Sequence, residues 1–91
     1  MAATADPQVT LNEAKSRYEL EKDGLVAFAA FEQRGDVYDF NHTVVPRELE
    51  GQGIGSRLVA AALADVKAKG GEIEATCSFV HHYLQKHPEA A

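Results

Sequence analysis

Apolar and polar residues alternate along the first half of the chain in a way that predicts three consecutive β-strands. The first stretch, at 17–22, alternates Tyr18 and Leu20 with charged neighbours, and the second, at 25–33, is rich in phenylalanine and alanine. The third, at 37–45, alternates most clearly. A period of two is typical of a strand with one buried face. Turn signals separate the three stretches, so we expect an antiparallel meander.

The alternation in the third stretch assigns its side chains to two faces of a strand. The more apolar face is expected to carry Tyr38, Phe40, His42 and Val44. The polar face is expected to carry Asp39, Asn41 and Thr43. Pro46 then ends the strand, because proline has no N–H to donate to a sheet.

Beyond Pro46 the period changes to that of a helix, predicted from Ile54 to about Lys69. Its apolar stripe consists of Leu58, Val59, Ala62, Leu63 and Val66. A short strand at 72–77 follows, and Ser78 suits the N-cap of a last helix. A right-handed crossover would make strand 72–77 parallel to strand 37–45. The predicted fold class is therefore α/β, a small, mixed, mostly antiparallel sheet with two helices.

Size and charge narrow the classes of protein. The 91 residues suffice for one domain, expected over 9–91 after a disordered leader at 1–8. The net charge of −5 argues against a nucleic-acid binder, which would carry a basic stripe. No apolar run approaches a membrane span and no signal peptide is evident, so a cytoplasmic protein is expected. The single cysteine excludes an internal disulfide, and no metal site is expected.

The segment Glu50-Gly51-Gln52-Gly53-Ile54-Gly55-Ser56 is the strongest functional signal. Three glycines at the start of a helix leave backbone N–H groups free to bind an anion, and the helix dipole favours negative charge there. The spacing fits neither the dinucleotide fingerprint nor a P-loop. A pyrophosphate cradle of another kind, or a merely flexible connection, remains. Arg47 and Arg57 flank the loop, as phosphate partners or as solvated charges.

These residues resemble a known family. Position 50 to Gly55, after a strand and opening a helix, is similar to the coenzyme A signature of the GNAT (GCN5-related) N-acetyltransferases. The segments His42-Thr43-Val44-Val45-Pro46 and Cys77-Ser78-Phe79-Val80, with Tyr83 and His87-Pro88, resemble the minimal members of that family. The resemblance runs from about Arg17 to Pro88. It implies a truncated GNAT-like fold.

The resemblance also implies a function: an acetyl-coenzyme A-dependent N-acetyltransferase acting on an amine, in a small molecule or at a protein lysine or N-terminus. Acetyl-coenzyme A would be the co-substrate. The residues expected to bind it are Val44, Val45, Gly51, Gln52, Gly53, Ile54, Gly55, Ser56 and Tyr83. The oligomeric state cannot be read from the sequence.

Cys77 and His42 are the expected catalytic residues on the strength of the resemblance. Cys77 lies just before a helix, where the dipole favours a thiolate, but free cysteine is also a common small core residue. His42 could take a proton from a thiol or an amine, or could be packed in the core. Tyr83 could protonate the leaving coenzyme thiolate or could belong to the core. Two routes are open at this point: direct acetylation of the amine, and acetylation through an acyl-cysteine.

Two departures from the family pattern favour a second class of function. Glu50 stands where the family usually has arginine or glutamine, and a carboxylate beside a pyrophosphate is unfavourable. Only Asp23-Gly24 joins the first two strands, where a full GNAT domain has helices that help build the acceptor site. The alternative is a non-catalytic coenzyme A-binding or protein-interaction module on the same scaffold.

Overall fold

The computed structural model describes residues 2–4 and 6–91, and six strands and two helices lie in these ranges. The strands are β1 (Ala2–Ala3), β2 (Val9–Asn12), β3 (Arg17–Lys22), β4 (Leu25–Arg34), β5 (Val37–Val44) and β6 (Glu72–Ala75). The helices are α1 (Ile54–Ala68) and α2 (Ser78–Lys86). Short 3₁₀ turns occupy Glu13–Lys15, Arg47–Leu49 and Pro88–Ala90. Neither helix is long and apolar enough to cross a membrane.

All six strands join in one sheet, ordered β1-β2-β3-β4-β5-β6. The first five pair antiparallel with their neighbours, and β6 pairs parallel with β5 after the α1 crossover. The predicted meander and parallel crossover are therefore confirmed. The predicted fold class, a mixed and mostly antiparallel sheet with two helices, is confirmed as well.

The N-terminal region differs from the sequence expectation. Strand β1, at Ala2–Ala3, pairs with β2. The hydrophobic pattern predicted neither of these two strands. Val9 and Leu11 are buried and the residues that follow each of them are not, so β2 does alternate. The strand is only four residues long. The described part of the expected leader at 1–8 thus lies along the domain, while Met1 and Ala5 lie outside the described residues. The single domain over 9–91 stays a prediction.

Two boundaries near the C-terminus also differ. Strand β6 ends at Ala75 rather than at residue 77, and Cys77 rather than Ser78 is the N-cap of α2. The Cys77 N–H donates to the carbonyl of Phe40 at 2.9 Å, and the Cys77 carbonyl accepts from His81 at 2.9 Å. Cys77 therefore joins the sheet to the helix.

One face of the sheet, here called the core face, packs against the helices. It carries Val9, Leu11, Tyr18, Leu20, Ala27, Ala29, Phe31 and Phe40. The predicted α1 stripe is buried against it, and Val80 of α2 joins the same cluster. The Tyr18 hydroxyl donates to Asp65 of α1 at 2.6 Å, and burial together with this carboxylate raises the pKa of Tyr18. The opposite face, here called the open face, carries half-buried Phe28 and Ala30.

An irregularity in β5 overturns the predicted face of His42. Phe31 of β4 pairs with Phe40, but the preceding Ala30 pairs with His42, so Asn41 has no cross-strand partner. One extra residue in a strand reverses the alternation beyond it. Tyr38 and Phe40 are on the core side, as predicted, whereas His42 and Val44 share the open face with their partners on β4. Thr43, expected on the other face, pairs with buried Ala29 on the core side.

Candidate functional site

Strands β5 and β6 part where β5 has its bulge. Their parallel pairing ends at Phe40 and Ala75. Beyond that point, β5 pairs only with β4, from His42 to Val44. One backbone edge of β5 is therefore left without a neighbouring strand. Such an edge offers N–H and C=O groups to an extended ligand.

A cleft of about 560 Å³ opens beside this free edge, bounded by the loop after β5, the start of α1 and Phe79 of α2. Seven of the predicted coenzyme-binding residues line it: Val44, Val45, Gly51, Gly53, Ile54, Gly55 and Ser56. Four further residues that the prediction did not include complete the lining: Thr43, Leu49, Glu50 and Phe79. The structure thus brings the strand end and the glycine loop together around one cavity.

The glycine loop forms one end of the cleft, where the first backbone amides of α1 have no partner within the helix. Gly51 and Gly53 have φ angles of +82° and +72°, and no atom lies within 4 Å of an added Cβ at either position. Gly53 is the N-cap of α1, and the first helical bond runs from the Arg57 N–H to the Gly53 carbonyl at 3.1 Å. The amides of residues 54–56 precede that bond and have no partner within the helix. Together with the helix dipole, they favour an anion at this end of the cleft.

Gly55 has a different role from the other two glycines. An added Cβ at Gly55 would lie 2.7 Å from Cζ of Phe79, a distance that real Cβ atoms essentially never show. The missing side chain lets the Phe79 ring pack directly on the first turn of α1. The Gly55 position therefore shapes the cleft wall through the contact between the two helices.

Two of the predicted coenzyme-binding residues do not line this cleft. Gln52 accepts a 2.6 Å hydrogen bond from Lys22 at the surface. Tyr83 lines an adjoining cleft on the other side of Phe79, with its ring centroid 4.5 Å from that of His87. Burial, with a smaller contribution from Glu89, raises the pKa of the Tyr83 hydroxyl.

The two arginines that flank the loop have different surroundings. The Arg57 guanidinium donates to both carboxylate oxygens of Asp6 at 2.9–3.1 Å and to Gln8 at 2.7 Å. Arg47 is exposed in the turn before the loop. Arg57 is therefore engaged by the N-terminal segment, which no local pattern around the glycine loop indicates.

Cys77 lies on the same side of the sheet as the cleft. Its Sγ is 3.5 Å from Oγ1 of Thr43, which itself lines the cleft. Burial raises the pKa of the Cys77 thiol, but the Thr43 hydroxyl and the backbone amides of Val80 and Phe79 more than offset it. The net effect is a lowered pKa, as expected for a thiol at a helix N-terminus.

His42, the other predicted catalytic residue, lies on the open face of the sheet. Its ring centroid is 6.0 Å from that of Phe28, and its cross-strand partner is Ala30. The side chain is exposed. The predicted catalytic residues, Cys77 and His42, therefore lie on opposite sides of the sheet. Thr43, rather than His42, is the β5 residue beside Cys77. The residue types around Asn41 do not indicate a bulge. The sequence pattern alone therefore could not have shown that Thr43 lies beside Cys77.

Comparisons with known proteins agree with this geometry. A family profile described as GCN5-related N-acetyl-transferase matches residues 17–91. The chain is also similar to the NMR solution structure of a GCN5-like protein from Staphylococcus aureus, itself described as a candidate N-acetyltransferase. That match has a TM-score of 0.71 and 25% sequence identity, and it covers 94% of this chain and 85% of the other. The chain belongs to the GCN5-related N-acetyltransferase family.

Proposed function

We propose that the chain transfers an acetyl group from acetyl-coenzyme A to an amine. The observation that carries the proposal is the free edge of β5, which leads directly to a loop of unpaired helix amides. A ligand with an extended amide-bearing arm and a pyrophosphate matches that combination. Membership of the family supports the same co-substrate.

In this proposal, the amides of residues 51–56 hold the pyrophosphate, and the pantetheine arm runs along β5 from Val45 towards Thr43. The arm's amide groups replace the strand partner that β5 lacks beyond Phe40. The thioester then lies near the point where β5 and β6 part. Cys77 is the nucleophilic side chain beside that point on the cleft side.

The lowered pKa of Cys77 suits an acyl-cysteine route. In that route, the thiolate sulfur attacks the thioester carbonyl, the C–S bond to coenzyme A breaks, and coenzyme A leaves as a thiolate. The amine then attacks the acyl-cysteine, and the cysteine sulfur is released. A direct route omits the first transfer, because the amine nitrogen itself attacks the coenzyme thioester.

His42 is the proposed base for the amine in either route. Because its side chain is on the open face, the proposal has the amine approach from that side of the gap between β5 and β6. The imidazole would accept the proton that the amine loses on attack. The Asp23-Gly24 turn leaves no helix between β3 and β4, so the acceptor side is open.

Titration calorimetry with coenzyme A tests the binding step. Gly53→Ala should weaken binding by roughly tenfold, equivalent to about 1.4 kcal/mol, because the added methyl hinders close approach of the pyrophosphate. Gly35→Ala is the matched control: Gly35 also has a positive φ, +61°, with open space around it, but it lies in the β4–β5 turn. Both variants should lose similar stability. Equal coenzyme affinities in the two variants would refute the role of the loop.

Intact-mass analysis after incubation with acetyl-coenzyme A tests the chemistry. The acyl-cysteine route predicts a 1:1 acetyl adduct that Cys77→Ala abolishes and His42→Ala preserves. Transfer to an amine at the wild-type rate by Cys77→Ala would exclude that route and leave direct attack. Glu50 in the cleft wall favours the second candidate, a coenzyme-binding module without catalysis. Tight binding of coenzyme A with no transfer to small amines, lysine peptides or peptide N-termini would support that candidate.

A further inference from the structure

The open face of the sheet holds most of the charge imbalance of the protein. Both helices pack on the core face, so no helix covers the open face in the described part of the chain. Alternation along β3 to β6 places six carboxylates and two guanidinium groups on this face: Glu19, Glu21, Glu32, Asp39, Glu72 and Glu74 with Arg17 and Arg34. The face therefore has a net charge of −4, out of −5 for the whole chain. Such a surface is complementary to a cationic partner.

Three of these carboxylates lie in one row across the sheet. Glu32, Asp39 and Glu74 are direct cross-strand neighbours on β4, β5 and β6. Like charges placed directly opposite one another destabilise a sheet. Arg34 donates to the two outer carboxylates at 2.7 and 2.9 Å, and Asp39 accepts from the Thr76 hydroxyl at 2.8 Å. The row immediately precedes the end of the β5–β6 pairing, so a cation that approaches the gap from the open face meets negative charge at its entrance.

A cavity of about 390 Å³ lies on the same face, over β3 and β4. Pro7 and Val26 give it apolar walls, and Val26 is 39% exposed. Glu19 and Glu21 also line it. Arg17 donates to Glu19 at 2.6 Å, whereas the exposed Glu21 side chain has no ion-pair partner among the described residues. Apolar walls beside a carboxylate suit a long cationic side chain, whose methylene groups pack while its head is paired.

An aromatic surface connects the cavity with β5. Half-buried Phe28 is the cross-strand neighbour of Glu19 on one side and of Val44 on the other. The Arg17 guanidinium lies 4.3 Å above the Phe28 ring, so this face already binds one guanidinium of the protein itself. The exposed His42 ring contacts the same phenyl ring. From β3 to the free edge of β5 there are two strand spacings, about 10 Å. About three extended residues span that distance.

We propose that the open face binds an extended, basic segment of a protein. Its acceptor lysine lies at the gap beside His42, and a second basic side chain, about three residues away, occupies the cavity at Glu21. The assignment of the lysine rests on the proposed function and names the class of its amine substrate. A small amine contacts only one of these two places, whereas a peptide spans both. The uncovered face therefore selects a polypeptide with at least two positive charges.

Fluorescence anisotropy with two labelled peptides at low salt tests the docking. Each peptide has one central lysine, and the residues three positions to either side are arginine in one peptide and citrulline, which is neutral and of similar shape, in the other. The wild-type protein should bind the arginine peptide about fivefold more tightly, and added salt should reduce the ratio. Glu21→Gln should abolish most of the ratio, whereas Glu21→Asp should keep most of it. Glu13→Gln, the same charge change in the exposed turn after β2, is the matched control and should keep the ratio.

Acetyl transfer from acetyl-coenzyme A to the same peptides separates the two proposals. The arginine peptide should have the higher kcat/KM. Equal affinities of the wild-type protein for the two peptides, or an unchanged ratio in Glu21→Gln, would refute the docking surface even if both peptides were acetylated. Loss of the ratio in Glu13→Gln would refute it as well, because net charge alone would then explain the preference.

Two further outcomes concern the acceptor and the occupant. A preserved binding preference without acetylation of any peptide or small amine would refute the proposed function and the acceptor role of the lysine, while the docking surface would stand. Sedimentation equilibrium tests whether a second copy of the chain occupies the open face. A wild-type dimer that Phe28→Glu dissociates would assign the face to that copy and refute the proposal.

Discussion

The two halves of β5 belong to one strand but have different surroundings. From Val37 to Phe40 the strand is paired on both sides, and Phe40 is 1% exposed. From His42 to Val44 it is paired on one side only, and none of these residues is fully buried. Asn41, without a cross-strand partner, separates the halves. One inserted residue thus changes a strand from a core element into the wall of a cleft.

The largest expected effect comes from the first half. Phe40→Ala should lower the free energy of unfolding by about 3–5 kcal/mol, because it removes a buried ring and leaves a cavity. Phe40 also packs with Phe31 and Tyr18, at centroid distances of 5.7 and 6.2 Å. Urea unfolding followed by circular dichroism measures the loss. A loss below 1 kcal/mol would contradict the assignment of this half to the core.

A smaller effect is expected at the loop end of the cleft that the second half helps to form. Glu50→Arg should tighten coenzyme A binding by about 1 kcal/mol at low salt, since it replaces a like charge near the phosphates with an opposite one. The gain should shrink as salt is added. Glu48→Arg makes the same charge change two residues away and outside the cleft lining. Equal gains in the two variants would show that only net charge matters.

Thr43→Val tests the contact that the bulge creates. The substitution removes the hydroxyl beside Cys77, so the pKa of the thiol should rise and alkylation by iodoacetamide should require a higher pH. Thr43→Ser keeps the hydroxyl and should keep the wild-type pH profile. The change in unfolding free energy should stay within about 1 kcal/mol. An unchanged alkylation profile in Thr43→Val would mean that backbone N–H groups, those of Val80, Phe79 and residue 43, lower the thiol pKa without the hydroxyl.

The smallest effect on stability is expected at His42. Because the side chain is exposed on the open face, His42→Ala should change the unfolding free energy by about 0.5 kcal/mol or less. The same urea titration as for Phe40→Ala gives the direct contrast between the two halves. A loss above 2 kcal/mol would place His42 in the core, as the unbroken alternation would have it.

The sequence predicted the elements whose residues show their own period or turn chemistry. The meander, the α1 stripe and the glycine loop all carry such local signals, and the structure has them. Strand β2 was missed because only Val9 and Leu11 mark it, too few residues to establish a period. The faces of β5 beyond Phe40 were wrong because a bulge is decided by cross-strand register, which the sequence of one strand does not contain. The neighbours of Cys77 depend on that register, so the contact between Thr43 and Cys77 was not predicted.

The contact between Phe79 and Gly55 links the position of α2 to the shape of the cleft. Phe79 lies two residues after Cys77, on the first turn of the same short helix. Because Cys77 is the N-cap of α2, a shift of the whole helix would move the Phe79 ring and the Cys77 sulfur together. The absence of a side chain at residue 55 therefore determines how closely α2 can approach the first turn of α1, and with it where the sulfur lies relative to the cleft.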